Sequence, residues 1–286
     1  MLDGSPPKKT ANMNGNLSTA PQDLVTEDRA PSPMSTNALV AKNGEFYDAF
    51  WSGTYLTRPE RFNTWPLISG LLPTAPRRLE VGPGLRPRLP IAGTHFLDIS
   101  PPVIERLNAR GGSAQRGEIT ALPFGDDSFD LVTAFDVVEH VEDDQAGFAE
   151  LTRVLKVGGR LIFSVPLHPA RWTAFDDYVG HARRYEPAAL RALLARYRLV
   201  VEKSVVFGMQ SNSPRLLRYA VQGLTRHRVA AVRCYNWLFF PLGRLLQGRR
   251  RFADGLMNLA KIDEVLLVCR RAADACALPG RPLSQS

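Results

Sequence analysis

Three cysteines in 286 residues (Cys234, Cys269 and Cys276), without a CxxC pair or a ligand-like spacing to histidine, argue against a disulfide framework and a cysteine zinc site. No apolar run approaches the ~18 residues of a membrane span. The N-terminus lacks the apolar core of a signal peptide, so an intracellular, cytoplasmic protein is expected. No internal repeat is present. Acid is missing locally: from Pro214 to Phe252 there is no Asp or Glu, yet nine arginines, in a chain whose net charge is +8. What is present is ordinary for a globular protein, with 44% hydrophobic and 22% charged residues, enough for a sizeable core.

Residues 1–40, rich in Pro, Ser, Thr, Asn and Gly without apolar periodicity, read as a disordered leader. Phe46, Phe50, Trp51 and Tyr55 then fall near helical spacing, and a second helix after Pro59 carries Phe62, Trp65, Leu67, Ile68 and Leu71. These N-terminal helices (41–75) are expected to cover the site. From there the rhythm is βα. Strands are expected at 77–81, 94–99, 129–135, 160–166, 198–207 and 263–270. Ser100-Pro101 starts one helix, which Gly111-Gly112 stops; Asp143-Asp144 opens another, closed by Gly158-Gly159; Pro187 opens a third. The apolar "FDLVTAF" suits a strand buried on both faces of a parallel sheet. The expected fold is α/β, a Rossmann-like, doubly wound, mostly parallel seven-stranded sheet with an antiparallel last strand. Its divisions are a core at 76–207, a basic helical insertion at 208–261, the last strand at 262–271 and a flexible tail at 272–286.

The segment "LEVGPGLRPRLP" (79–90) carries the most information. Gly82 and Gly84 let backbone N–H groups approach a ligand without obstruction by Cβ. Asp98, at the end of the next strand, is placed to accept both ribose hydroxyls of a nucleoside. The dinucleotide fingerprint wants a third glycine where Pro87 stands, which disfavours an NAD-dependent oxidoreductase. Glu80 would repel a pyrophosphate but can face the cationic amino-acid end of S-adenosylmethionine (SAM).

"LEVGPG", "FLDIS", "GEITALPFGDDSFDLVTAFDVVEHVEDD" and "ELTRVLKVGGRLIFSVP", in this order over roughly residues 45–207, resemble the class I SAM-dependent methyltransferases, in the branch with type 11 methyltransferase domains. The resemblance implies SAM as cofactor, with Glu80, Gly82 and Gly84 bordering its methionine portion. Asp98 and the adjoining Ile99 would hold the ribose, Glu118 and Ile119 would border the adenine, and Phe135 and Asp136 would line the pocket after the fourth strand. The chain departs from the family pattern at Arg86, usually glycine, at Glu118, usually Asp, and in the ten residues from Leu85 to Thr94, too few and too rich in proline for a full helix. Tyr47 or Tyr55 is expected to help close the methionine end.

"VVEHVEDD" (137–144) crowds Glu139, His140, Glu142, Asp143 and Asp144. Its spacing matches no known ligand frame, so helix capping and a pocket wall are preferred and no metal is expected. The loop 165–187 lies on the carboxyl edge of the sheet, where such folds bind ligands, and reads as an acceptor wall or lid. Methyl transfer needs mainly proximity and orientation; a hydroxyl acceptor also needs a base, for which His168 or His181 with Asp177 is the candidate set. The bland alternative is an ion-pair clamp between Asp176/Asp177 and Arg183/Arg184. The arginine-rich excursion, which also carries Trp237 and several Phe and Leu, suits peripheral contact with an anionic membrane, an acidic or lipid-linked substrate, or single-stranded nucleic acid. A solvated helical cap is the plain alternative. Nucleic acid is the weaker reading, because no "[N/D]PP[Y/F]" signature follows the fourth strand. The resulting expectation is SAM-dependent methylation of a small-molecule or lipid-like acceptor, of the secondary-metabolism kind, with O-methylation favoured. The rivals are a SAM-fold binding protein without catalysis and an RNA methyltransferase.

Overall fold

The computed structural model describes Trp51, residues 54–208 and 251–273, and isolated positions between Tyr219 and Leu242. The expected leader, Tyr47, nearly all of the expected tail and most of the basic insertion lie outside the described residues. The expected second helix is broken in two. Pro59 opens a 3-10 turn (Pro59–Arg61), and Pro66 sits in the first turn of α1 (Trp65–Leu71), where its missing N–H has no partner to lose.

The strands are β1 (Arg78–Val81), β2 (Thr94–Asp98), β3 (Ser113–Arg116), β4 (Phe129–Ala134), β5 (Leu155–Pro166), β6 (Leu199–Val206), β7 (Ala253–Asp254) and β8 (Glu264–Arg271). They form one sheet in the order β3-β2-β1-β4-β5-β8-β6-β7. β1 to β5 run parallel, and β8 is antiparallel to both β5 and β6. This is the expected Rossmann-like sheet with an antiparallel last strand, extended at its edge by the two-residue β7. The helices between strands are α2 (Pro101–Asn108), α3 (Asp144–Val154), α4 (Ala174–Val179) and α5 (Pro187–Arg196).

Both faces of the sheet are buried, which is why its central strands read as nearly unbroken apolar runs. In β8, Val265, Leu267 and Cys269 pack with Phe148 and Leu151 of α3 and Leu190 and Leu194 of α5. The alternate residues Leu266 and Val268 face Ile68 of α1, Leu131 and Ile162. Strand periodicity thus divides one segment between two cores.

Two boundaries differ from expectation. α3 ends at Val154 rather than at Gly158-Gly159, because Leu155 is already extended (φ −82°, ψ 130°) and pairs with Phe129 of β4. Both glycines therefore lie inside β5, where the β4–β5 register shifts between Phe129 and Leu131; Gly158 adopts φ +82° there. The strand β3 was not expected at all. Its sequence SAQR is polar and mostly exposed at the sheet edge, so it carries no apolar alternation.

Strand order reverses around β1, which has β2 on one side and β4 on the other. The crevice beyond the carboxyl ends of β1 and β4 is the topological switch point, the place where open α/β sheets bind ligands.

Candidate active site

The loop leaving β1 is pinned from beneath. Glu80 is buried; its Oε1 accepts the Arg88 N–H at 2.8 Å and its Oε2 the Leu89 N–H at 2.9 Å. Burial pushes the Glu80 carboxyl up to about 7, against the pull of those two amides and the Arg88 charge. Glu80 therefore anchors the loop itself. No helix forms between β1 and β2, as the prolines required. Gly82 and Gly84 are left-handed, at φ +63° and +53°. A Cβ on Gly82 would stand 2.6 Å from Val137 Cγ2, so the loop passes directly against the turn after β4. A Cβ on Gly84 would stand 2.1 Å from Trp51 Cζ2.

Asp98 joins the loop to β2. One carboxylate oxygen accepts the Gly84 N–H at 3.0 Å and the other the Ser100 N–H at 2.9 Å. Ile99 is half-buried beside it, Ile119 is buried and Glu118 is exposed. The Gly117 N–H reaches the Asp98 carbonyl at 3.2 Å, so the expected ribose and adenine residues lie on one continuous edge. Tyr55 packs on Trp237, with ring centroids 5.3 Å apart, while Trp51 covers the glycine loop. Helical spacing marks Trp51 only as one aromatic of a stripe and gives no sign of this contact.

At the end of β4, Asp136 is exposed and holds φ +54°, uncommon for a residue other than glycine. Ser164 Oγ accepts its N–H at 2.9 Å and donates to its carboxylate. Phe135 meets Phe207 at 6.0 Å between ring centroids. The Arg88 guanidinium lies 3.8 Å from the Phe62 ring centroid, 5.4 Å from Phe135 and 5.8 Å from Phe207. An aromatic wall with an embedded arginine thus stands on the carboxyl edge beside the glycine loop.

The segment 165–187 is clamped. Asp176, fully buried, receives Arg184 Nε at 2.8 Å and Nη2 at 2.9 Å, His181 Nδ1 at 2.8 Å, and the Thr173 N–H and Oγ1 at 2.7 Å each. Burial raises its pKa, but the bonds from His181, Arg184 and Thr173 prevail and hold it below the usual carboxylate range. Arg183 and Tyr185 both bind Asp144 at 2.9 Å, at the start of α3. The partner of His181 is therefore Asp176, whereas Asp177 is exposed and accepts Trp172 Nε1 at 3.0 Å. The His168 side chain sits elsewhere, with Nε2 3.0 Å from the Leu259 carbonyl oxygen, on a left-handed backbone at φ +60°.

Glu139 and His140 occupy a 3-10 turn (Val138–His140) after β4. The Glu139 carbonyl accepts the Ala182 N–H at 2.7 Å, which fastens the segment after α4 to this turn. The His140 and His181 rings meet edge to face with centroids 4.7 Å apart. Burial, then the charge of Asp136, raises the Glu139 carboxyl well above its usual range, and burial beside His181 brings His140 down to about 3. The fold thus gathers Glu139 and His140 with a histidine distant in sequence, a grouping that the local spacing could not reveal.

A family model described as a methyltransferase domain matches residues 80–163, from the glutamate under the glycine loop into β5. The demethylmenaquinone methyltransferase of Mycobacterium tuberculosis (strain ATCC 25618 / H37Rv) is 42% identical over 69 residues, 23% of this chain and 30% of that protein. The uncharacterized protein YafE of Escherichia coli (strain K12) is 29% identical over 119 residues, 39% of this chain and 58% of that protein. The chain thus spans 30% of the length of the first curated relatives it matches. The geranyl diphosphate C-methyltransferase of Streptomyces coelicolor A3(2), solved with Mg2+, geranyl diphosphate and S-adenosyl-L-homocysteine, superposes with a TM-score of 0.50 at 14% identity, covering 84% of this chain and 100% of that one. The [4+2]-cyclase SpnF gives a TM-score of 0.50 at 15% identity, covering 84% and 97%. At such identities the likeness is one of fold, and the cyclase is a reminder that a fold does not fix a reaction. Family match, motif order and sheet topology agree: residues 80–163 match a methyltransferase domain, and the sheet around them has the Rossmann-like fold of class I methyltransferases.

Proposed function

We propose that this chain transfers the methyl group of SAM to a small-molecule or lipid-like acceptor. The observation that carries the reading is the switch-point crevice, where two left-handed glycines and Asp98 share one hydrogen-bonded edge next to the wall of Phe62, Phe135 and Phe207 around Arg88. In this reading Gly82 and Gly84 border the methionine portion, Asp98 and Ile99 the ribose, and Glu118 and Ile119 the adenine. Phe135 and Asp136 line the cofactor pocket at the end of β4, and the aromatic wall with its arginine favours an acceptor that is apolar and bears negative charge. Demethylmenaquinone and geranyl diphosphate, the molecules in the names of two similar proteins, are of the lipid-like kind.

O-methylation remains the favoured chemistry. Of the two histidines considered for the proton, His181 has a carboxylate on its Nδ1, the arrangement of an oriented base, and His168 is committed to a backbone carbonyl. A second reading, SAM binding without transfer, rests on the missing helix after the glycine loop. Peripheral contact with an anionic membrane is supported by the exposed Tyr219, Trp237, Leu238 and Leu242 in the arginine-rich insertion.

The test is turnover with methyl-labelled SAM against hydroxylated quinones, phenolic lipids and prenyl diphosphates, with the products identified by mass spectrometry. A methylated oxygen supports the full reading, and a methylated carbon corrects the atom. SAM binding without product from any acceptor favours the second reading. Sedimentation with anionic vesicles at low salt tests the membrane contact, which fails if the protein stays in the supernatant.

A further inference from the structure

We propose that Glu139, His140 and His181 form a binding site for a divalent transition-metal ion of the Zn2+ type. One ligand atom from each residue lies within 4.8 Å of the other two, and His181 Nε2 stands 3.9 Å from Glu139 Oε1. Tetrahedral Zn2+ with bonds of about 2.0–2.1 Å sets its ligands about 3.4 Å apart, so side-chain closure of about 1.4 Å or less completes the frame.

Two further observations point to a ligand. Glu139 is 1% exposed, and its Oε2 has no hydrogen-bond partner among the described residues. A buried carboxylate oxygen without a donor is costly, and a cation at this place removes the cost. Both imidazoles are also held from behind. His140 Nδ1 lies 3.1 Å from the Gly180 carbonyl oxygen, and His181 Nδ1 lies 2.8 Å from Asp176 Oδ1. Carbonyl and carboxylate oxygens only accept, so each neutral ring carries its proton on Nδ1 and its lone pair on Nε2. This is the outer-shell arrangement that orients metal-binding histidines, and Asp176 is itself fixed by Arg184 and Thr173.

Two imidazoles and one carboxylate suit Zn2+ or Fe2+, whereas Mg2+ and Ca2+ take oxygen ligands. The ligands come from the turn after β4 and from the residue that follows α4 and Gly180, so the ion would staple the segment 165–187 to the carboxyl edge of the sheet. The site goes beyond the methyl-transfer reading and does not rest on it. An ion there would use the same lone pair that a base at His181 needs, so metal-free and metal-loaded protein differ in what His181 does.

The experiment uses the untagged full chain, stripped with chelator and free of SAM, titrated with Zn2+ by calorimetry and with Co2+ by visible absorption. The expected result is one equivalent of metal per chain and a Co2+ spectrum of low coordination number. His140→Ala and His181→Ala should each weaken binding at least tenfold. Glu139→Gln, which keeps the size of the side chain, should weaken it too and covers a histidine variant that fails to fold. His95→Ala, outside the cluster, should bind as the native chain does. Absence of uptake by the native protein, or unchanged uptake in both Glu139→Gln and His181→Ala, overturns the proposal.

Discussion

Replacing Asp176 with alanine removes the acceptor on which the segment 165–187 is fastened. Asp176 is fully buried, and the Arg184 side chain that grips it is 1% exposed. Without the carboxylate, the buried Arg184 loses both of its charge-assisted bonds to Asp176, which costs about 3–5 kcal/mol. In a domain of this size each kcal/mol shifts Tm by about 2–4 °C, so Asp176→Ala should melt roughly 6–20 °C below the native protein. Replacing the pair together, Asp176→Ala with Arg184→Met, removes the buried charge as well and should recover most of that loss. Calorimetry at neutral pH reads both variants. The pH dependence follows from the depressed pKa of Asp176. The stabilisation is fully present above the unfolded value near 3.9 and is lost as pH falls through the lower folded value. The gap between native and Asp176→Ala should therefore shrink in acid, as pH falls below about 4. A single variant within about 1 kcal/mol of native, with the double variant no better than the single, would refute a buried clamp.

Other expectations follow from the same geometry. Glu80 has its folded pKa raised to about 7, so its stabilising effect is present below the usual value of 4.5 and is lost as pH rises through 7. Glu80→Gln should thus gain on the native chain by on the order of 3 kcal/mol between pH 5 and 8 in denaturant titrations, and parallel pH profiles would contradict this. Gly84→Ala combines a left-handed backbone, worth about 1–2 kcal/mol, with a clash against Trp51; it should lower stability and shift tryptophan fluorescence, and an unchanged spectrum would place Trp51 elsewhere. His181→Ala should cut turnover of a hydroxyl acceptor by ~10²-fold if His181 handles the proton, whereas His168→Ala should leave turnover near native. Equal losses in the two variants would remove that distinction.

Much of the sheet was legible because β4, β5 and β8 are buried on two faces and advertise it as apolar runs. The meeting of the glycine loop with Asp98 was legible because the two are local features at the ends of consecutive strands, β1 and β2. What the sequence concealed depends on contacts across the fold. β3 is held by pairing with β2 through four residues, three of them polar, so no pattern marks it. β5 begins at Leu155 because β4 offers a ladder there, and that ladder overrides two glycines that otherwise signal a stop. Asp176 rather than Asp177 faces His181 because successive positions on the short helix α4 point in different directions, and only Asp176 faces inward to Arg184. Trp51 lies on the glycine loop by tertiary packing alone, and His181 joins Glu139 and His140 only once the segment after β5 folds back.

Titration of the full chain with SAM by calorimetry, with Asp98→Ala in parallel, tests the central claim most directly. Asp98 accepts two backbone N–H bonds and is assigned the ribose hydroxyls, to which charge-assisted bonds are worth about 1.5–3 kcal/mol each. The account predicts one SAM per native chain and at least a tenfold loss of affinity in Asp98→Ala that retains native circular dichroism. A native chain that does not bind SAM, or one that binds it no more tightly than the folded variant, would contradict it.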